Sequence, residues 1–251
     1  MEKILIKTKE EIKAITEGGK RLSEIKRKLE ENVKIGVSAW EIEELAMRLI
    51  KKSGGDPSFT RVPKYHWATC ININEGVVHG IPRKDIVFQK GDVVSVDVGL
   101  FFSGLHTDTS FSKGLDVNSF TEKFLNVGKQ ALDNAIAKAI PGGRIYDISE
   151  TIETTLKKGG CNPVKALVGH GVGRELHEDP QIPQFVYWKR ESTLEIPVGA
   201  VLAIEVIYTQ GCGEISHEKD GWTIVTSDDK ISALYEDTVV VTNTGFLAVT
   251  R

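Results

Sequence analysis

The chain has 251 residues, 40% of them hydrophobic, and a formal net charge of −3 with Lys and Arg scattered along it. This size allows one large domain or two small ones. The charge pattern is unlike a basic groove that follows a phosphate backbone, so we expect no nucleic-acid partner. The first residues, MEKILIKTKEEI, lack the apolar segment of a signal peptide, and no run approaches the roughly 20 apolar residues of a membrane span. We therefore expect no contact with a membrane.

The three cysteines indicate the cellular compartment. Cys70, Cys161 and Cys212 are odd in number, far apart in the chain and without CxxC spacing. Such cysteines are typical of reduced thiols rather than of disulfides or a zinc site. The sequence therefore predicts a cytoplasmic protein.

Each half of the chain is predicted to form two helices followed by antiparallel strands. Capping-box patterns open helices at Thr8 to Glu11, at Ser38 to Glu41 and at Ser119 to Glu122. A fourth helix is predicted from about Tyr146 to Lys158, after a break at Pro141. Three runs have the composition of strands: DVVSVDVGLFF from residue 92, VLAIEVIY from residue 201 and TVVVT from residue 238.

A long internal repeat connects the two halves. GVSAWEIEELAMRLIKKSGG from Gly36 resembles GGRIYDISETIETTLKKGG from Gly142, and GDVVSVDV from Gly91 resembles GAVLAIEV from Gly199. Two matches in the same order and at nearly the same offset favour a duplication over chance. We predict one α+β domain over residues 1–251, with internal repeats at about 8–110 and 118–250.

An acid interrupts the apolar pattern of two equivalent strands. Side chains alternate between the faces of a strand, so Asp97 lies opposite Val94, Val96 and Val98. Glu205 occupies the matching position of the second repeat. A lone acid in a strand is most often a hydrogen-bonded core residue or part of a bulge. Two at equivalent positions favour a shared site on a pseudo-two-fold axis.

Two further acids are candidates for the same site. Ser103 and Gly104 suit a hairpin turn, and a turn centred at Phe102 and Ser103 would place Asp97 directly opposite Asp108. Carboxylates that close repel each other, so they share a proton or hold a cation. A solvated acid at a hairpin end is the alternative for Asp108. Glu236, just before the last predicted strand, carries little information alone.

A histidine between glycines, in GHGVG from residue 169, completes the candidate set. Gly169, Gly171 and Gly173 leave the backbone around His170 free to approach a crowded centre, although a flexible loop with a surface histidine would have the same pattern. Four carboxylates and one imidazole form an oxygen-rich set that suits paired manganese, iron or cobalt ions, or zinc. Two such metals about 3.5–4 Å apart can share a hydroxide and polarise a carbonyl.

The ordered motifs of the chain resemble those of one enzyme family. NINEGVVHGIP, DVVSVDVG, HTDTS, VGHGVGRELHEDP, AIEV and ALYEDTVVVT are similar, over essentially the whole chain, to the type I methionine aminopeptidases. The resemblance implies the duplicated pita-bread (creatinase/aminopeptidase) fold, in which helices back an antiparallel sheet. It also implies hydrolytic removal of the initiator methionine from proteins whose second residue is small.

The resemblance also implies roles for individual residues. Two divalent metal ions would be held by Asp97, Asp108, His170, Glu205 and Glu236, with Asp108 and Glu236 bridging them. Glu205 would also move a proton from the bridging water to the leaving amine, and His79 and His177 would contact the substrate around its scissile amide. The methionine pocket would be lined by Tyr65, Cys70, Leu176 and Trp222. A monovalent cation would bind at Asn74, Gly76 and Ser232.

The implied partners are nascent polypeptide N-termini that begin with Met, together with a transient contact to the ribosome; we expect a monomer. The chain departs from the family pattern at Leu167 and Leu176, where aromatic residues are common, at Gln184-Phe185, and in the segment before Cys70, which lacks the usual Gly-aromatic-Pro. These differences concern the shape of the pocket and the outer groove rather than the metal ligands.

Two alternative functions are considered. An X-Pro peptidase of the prolidase or aminopeptidase P type would share the fold, but those enzymes usually carry an additional N-terminal domain, for which we expect no room here. A pita-bread protein without activity would bind peptides or proteins, but such proteins typically lack some metal ligands, and all five positions are filled here.

Overall fold

The computed structural model describes residues 3–251; the first two residues of the charged N-terminus lie outside it. The first half contains α1 (Lys9–Asn32), α2 (Ala39–Ser53), β1 (Asp56–Pro57), β2 (Thr69–Ile73), β3 (Gly76–Val78), β4 (Val93–Phe102) and β5 (Leu105–Gly114). The second contains α3 (Ser119–Ile136), α4 (Ile145–Lys158), β6 (Asn162–Pro163), β7 (Val168–Gly171), β8 (Glu178–Pro183), β9 (Val201–Thr209), β10 (Ile215–His217), β11 (Ile224–Thr226), β12 (Ser232–Thr242) and β13 (Gly245–Ala248). In both halves a helix pair precedes the long strands, as predicted; the division into one domain with two repeats stays a prediction.

The helix starts follow local capping chemistry, with one correction. Thr8 and Ser38 both form the predicted capping boxes, each with the Glu three residues later. The third helix differs, because its N-cap is Asn118 and not Ser119. The Asn118 side-chain oxygen accepts hydrogen bonds from the backbone N–H groups of Phe120 and Thr121, each at 3.0 Å. An Asn satisfies the free N–H groups of a first turn as well as a Ser does, so the cap lies one residue earlier than the predicted Ser119.

One antiparallel sheet of ten strands forms the centre of the protein. Its main path is β1-β4-β5-β12-β9-β7-β8, while β2 pairs with β4, β6 with β9 and β13 with β12. A second sheet, β10-β11-β3, has three strands. The long strands of the two halves meet where β5 pairs with β12.

The two faces of the large sheet differ in chemistry. On one face, Val94, Val96 and Val98 pack with buried residues of α1 and α2. On the same face of the other half, Leu202 and Ile204 pack with buried residues of α3 and α4. The alternation predicted for β4 and β9 is therefore confirmed, and Asp97 and Glu205 lie on the face opposite to these helix contacts.

The hairpin between β4 and β5 corrects the predicted register. Ser103 and Gly104 both have positive φ, at 51° and 83°, as a two-residue type I′ turn requires. Asp97 is therefore paired with Ser110, and Asp108 with Gly99. The predicted direct pairing of Asp97 with Asp108 is wrong by two residues, because the turn lies one residue later than its assumed centre. A shift of two keeps both acids on one face, so they are diagonal neighbours.

Within residues 3–251, no helix combines the length and apolar character needed to cross a bilayer.

The cap assignment predicts different effects for two adjacent substitutions. Asn118→Ala should lower the free energy of unfolding by about 1 kcal/mol, because two N–H groups of the first turn lose their acceptor. Ser119→Ala is the matched control and should change it little, since Ser119 is exposed and is not the cap. Urea unfolding of both variants measures the difference, and equal losses would contradict the assignment.

Candidate metal centre and substrate cavity

Three of the five candidate ligands lie in one row across the large sheet. Glu205 on β9 is paired with Glu236 on β12, Glu236 is also paired with Ser110 on β5, and Ser110 is paired with Asp97 on β4. Paired residues point to the same face with Cβ atoms about 4.5–5.5 Å apart. The row therefore holds three carboxylates on the face away from the helices. Glu236, for which the sequence alone gave little information, lies between Glu205 and Ser110 in this row.

Asp108 and His170 flank this row. Asp108 precedes Ser110 by two residues on β5, so it shares the face of the row. Its position allows a side-chain hydrogen bond with Asp97, which two acids can make only when they share a proton. His170 on β7 is paired with Ala203, two residues before Glu205. All five predicted ligands are thus brought together.

The tautomer of His170 suits metal binding through Nε2. Its Nδ1 donates a hydrogen bond to the Gly171 carbonyl oxygen at 2.9 Å, so Nε2 carries the free lone pair. This Nε2 lies 3.4 Å from Oε1 of Glu205. The neighbouring glycine is required by space, because a Cβ at Gly171 would lie 2.3 Å from the Asp179 carbonyl oxygen. The glycines of this motif therefore bring the imidazole close to the acids.

Two observations indicate that this group of acids and His170 suits a divalent cation. Ligand atoms of Asp108, His170 and Glu236 lie within 4.8 Å of one another. Within residues 3–251, Oδ1 of Asp97 and Oε1 of Glu236 are buried without a hydrogen-bond partner. A buried carboxylate oxygen without a donor is costly, and a cation removes that cost. Carboxylates with one imidazole are ligands that hard and borderline divalent metals accept.

Burial changes the proton affinity of the whole group. It raises the pKa of each of the four carboxyls, and neighbouring carboxylate charges raise the pKa of Asp108, Glu205 and Glu236 further. Burial also lowers the pKa of His170 to about 3, and nearby His177 adds to this effect. The imidazole is therefore neutral at physiological pH, and the acids retain protons more strongly than usual. The neutral imidazole is free to bind a cation, whereas a cation bound by the acids would have to displace their protons.

Two further histidines, His79 and His177, lie beside the acids. The ring centroid of His177 is 4.5 Å from that of His170, in an edge-to-face arrangement. His79 has a positive φ of 59° and contacts the indole of Trp222 edge-on. Burial lowers the pKa of both imidazoles, so both are neutral hydrogen-bond donors at pH 7. Both line the same cavity as the five acid and imidazole ligands.

This cavity has a volume of about 530 Å³ and an apolar end. The end is formed by a cluster that includes Tyr65, Cys70, Leu176 and Trp222, the four residues expected to line a methionine pocket. The rings of Tyr65 and Trp222 are 5.0 Å apart and edge-to-face. Cys70 on β2 is paired with Asp97, so the apolar end directly adjoins the acids. The sequence-predicted pocket residues are therefore brought together; their contact with a substrate stays a prediction.

The predicted monovalent-cation residues also lie together. The Ser232 N–H donates to the Asn74 carbonyl at 2.7 Å, and its hydroxyl donates to the Gly76 carbonyl at 2.6 Å. These bonds join the start of β12 to the turn between β2 and β3. The binding of a cation there stays a prediction.

The departures from the family pattern fall into two groups. Leu167 and Leu176 line the cavity, so they shape its walls. Gln184 is buried, and its Oε1 accepts a hydrogen bond from the Ile207 N–H at 3.3 Å. Phe185 stacks with Tyr187 and is not among the lining residues.

Sequence reasoning missed two buried polar residues that hydrogen-bond to the chain next to cavity-lining residues. Glu43 on α2 accepts hydrogen bonds from the backbone N–H groups of Ala68 and Thr69, and so fixes the chain before Cys70. His106 shares a hydrogen bond of 2.9 Å with the Ser58 hydroxyl, through Nδ1. His106 has a signal in the sequence, because it precedes Asp108 by two residues and shares its face. Glu43 has none, since its partners lie 25 residues away.

A buried group of acids with one neutral imidazole, next to a partly apolar cavity, defines a metal-dependent hydrolase. The family model "Metallopeptidase family M24" matches residues 13–243, and the chain belongs to this family. The chain is 35% identical over 249 residues to methionine aminopeptidase 1 of Bacillus subtilis (strain 168), with 99% of each chain covered. The predicted resemblance is confirmed.

Solved structures place the fold in the same family. The crystal structure of methionine aminopeptidase from Thermotoga maritima has a TM-score of 0.96 and 36% identity, and the match covers 99% of this chain and 100% of that one. Prolidase from Pyrococcus furiosus has a TM-score of 0.77 at 23% identity, with 98% of this chain and 65% of that chain covered, and shows the fold alone. The predicted pita-bread fold is therefore confirmed.

The site geometry predicts that the two neighbouring histidines differ in metal binding. His170→Ala should bind divalent metal much more weakly, because its Nε2 faces the acids. His177→Ala should keep the metal content of the wild type, because the five-residue ligand set remains. Metal analysis after dialysis against a weak chelator measures both. Metal loss in His177→Ala, whatever happens in His170→Ala, would contradict this distinction.

Proposed function

We propose that the chain removes the initiator methionine from nascent proteins whose second residue is small, by hydrolysis at a centre of two divalent metal ions. The observation that carries this proposal is the pairing of Cys70 with Asp97, which sets an apolar pocket directly beside the metal-binding face. A methionine side chain in that pocket would hold its own amino group and amide carbonyl near the acids. Relatives named methionine aminopeptidase that match over the full chain support it.

The metal ions would supply the polarising charge. Bound divalent cations lower the pKa of a water ligand and withdraw electrons from a carbonyl oxygen. The ligands would be Asp97, Asp108, His170, Glu205 and Glu236. Cobalt, manganese, iron and zinc all suit this donor set. We include a monovalent cation at Asn74, Gly76 and Ser232 in the proposal.

Glu205 would carry the proton. It lies in the row of acids beside Glu236 and 3.4 Å from His170, and it lines the cavity. A carboxylate in this position can accept a proton from the attacking water and pass it to the leaving amine. Asp97, in the same row, would remain a ligand.

His79 and His177 would hold the scissile amide. Both imidazoles are neutral and line the cavity that the apolar pocket shares with the acids. We propose that Nε2 of His177 donates to the carbonyl oxygen as it gains charge, which stabilises the transition state more than the bound substrate. His79 would contact the same amide from the side of Trp222.

The proposal extends to the setting of the enzyme. The substrates would be the N-termini of nascent chains that begin with Met. The enzyme would bind them in the cytoplasm during a transient contact with the ribosome. It would act as a monomer. One domain with repeats at about 8–110 and 118–250 would contribute ligands from each repeat: Asp97 and Asp108 from the first, the others from the second.

The direct test compares two substrates and a series of metals. Metal-free protein is reconstituted with each divalent metal in turn and assayed on Met-Ala-Ser and on Gly-Pro. Turnover of Met-Ala-Ser alone is expected, whereas preferred cleavage of Gly-Pro would indicate an X-Pro peptidase, and no turnover with any metal would indicate a binding protein.

Two substitutions test the ligand assignment within this assay. Glu205→Gln and Asp97→Asn should each lower kcat by about 10²-fold or more, because each removes a charge that balances the metals. Glu122→Gln, an exposed acid on α3, is the matched control. Retention of more than about a tenth of wild-type turnover by either variant would overturn the five-ligand set.

The shape of the pocket predicts a relaxed preference. Leu176 lines the apolar end, and it is smaller than the Phe common in the family. We expect Leu176→Phe to raise the preference for Met over norleucine and Leu in kcat/KM, since one methylene in an apolar pocket is worth about 1–3 kcal/mol. Unchanged ratios would show that Leu176 does not contact the substrate side chain.

A further inference from the structure

A buried ion pair lies behind the loop that carries His177. Nζ of Lys7, on the segment before α1, is 2.6 Å from Oε2 of Glu178. The two side chains are only 1% and 2% exposed. Glu178 follows His177 directly and also borders the substrate cavity. Neither residue has a role in the proposed chemistry.

Glu178 organises the turn around His177 with both carboxylate oxygens. Oε1 accepts hydrogen bonds from the backbone N–H groups of Arg174, at 2.7 Å, and Glu175, at 3.1 Å. Oε2 accepts from Lys7. The carboxylate thus stabilises a turn over residues 174–178. It also links this turn to Lys7, near the start of the chain. Leu176 and His177 are the two residues inside this closed turn.

Two further hydrogen bonds and a packing contact fix the position of Lys7. Its backbone N–H donates to the Gly199 carbonyl at 2.9 Å, just before the strand that carries Glu205. Its Nζ also donates to the Leu5 carbonyl at 3.2 Å. Its stem fills the space beside Gly173, where a Cβ would lie 2.4 Å from Cε of Lys7 and where φ is +148°. A side chain at the last glycine of GHGVG would therefore be strained by its backbone conformation and would displace the stem of this lysine.

A second ion pair joins the same two regions, but in a different environment. Arg174 contacts Glu11 through two hydrogen bonds, of 2.5 and 2.7 Å, and its side chain is 45% exposed. An exposed pair is screened by water and holds its partners weakly. A buried pair adds little net stability compared with apolar residues of the same size, but it permits only one arrangement of its two charges. The difference favours a conformational role for Lys7 and Glu178.

We propose that Lys7 and Glu178 are positioning residues that hold the turn of residues 174–178 so that His177 faces the scissile amide. Lys7 neutralises Glu178, and Glu178 fixes the backbone next to His177. This inference rests on the proposed contact between His177 and the substrate. A displacement of about 1 Å in such a group can lower the rate about 10²-fold without any loss of metal.

The test is a double-mutant cycle on metal-loaded, full-length protein with Met-Ala-Ser. Lys7→Met should lower kcat by up to about 10²-fold, with a smaller change in KM and an unchanged metal content. Lys7→Arg keeps the charge and should recover most of the lost kcat. In a His177→Ala background, which by itself lowers kcat by about 10²–10³-fold, Lys7→Met should cause no further loss. Arg174→Gln, which removes only the exposed pair, is the matched control and should have wild-type kcat.

The outcomes separate the inference from the function on which it rests. Wild-type kcat in folded Lys7→Met, or equal losses in the wild-type and His177→Ala backgrounds, would overturn the positioning role alone. Wild-type kcat in His177→Ala would overturn the assignment of His177 and the positioning role with it. If Lys7→Met does not fold by circular dichroism, Glu178→Gln enters the same cycle, because it removes the charge from the other side and keeps the side-chain size.

Discussion

Mutual repulsion among buried carboxylates is the constraint on which the rest of this structure depends. Two unit charges 4 Å apart repel by about 4 kcal/mol at an effective dielectric constant of about 20, and four acids share one face of this sheet. Protons or divalent cations are the available remedies. Strand pairing fixes the acids in one row, so they cannot move apart without breaking the sheet. The sheet therefore keeps the acids together in an arrangement that is unfavourable unless protons or a cation reduce their charge.

The same sheet explains why the cavity has two chemically distinct ends. In a row across the sheet, each strand contributes one residue. The surface of the cavity therefore changes from apolar to ionic where the residue on one strand is apolar and its neighbour on the next strand is acidic. Cys70 stands next to Asp97 because β2 pairs with β4 at that position. Apolar and ionic surfaces thus adjoin without an intervening loop. A substrate with an apolar side chain and a polar amide matches this sequence of surfaces along its own length.

Much of this arrangement could be predicted from the sequence, because it depends on local periodicity and on the repeat. Alternation within β4 and β9 placed Asp97 and Glu205 on the correct faces, and the capping boxes at Thr8 and Ser38 are present. The direct pairing of Asp97 with Asp108 was wrong, since one residue in the position of a turn shifts a hairpin by two. Glu236 had no local signal, because its neighbours are set by strand pairing over a long separation. The ion pair of Lys7 with Glu178 joins residues 171 positions apart, and no local sequence pattern predicts it.

The place where the two halves meet has a consequence for how the protein becomes active. Glu236 on β12 is paired with β5 of the first half and with β9 of its own half. Neither half alone contains all five candidate ligands, so the complete set exists only once β5 of the first half has paired with β12 of the second. A metal ion bound there is a cross-link between the two halves, and it stabilises their union by mass action. Removal of such an ion would therefore weaken the contact between the two halves as well as the chemistry of the site, so metal content and the stability of the β5–β12 pairing would be linked.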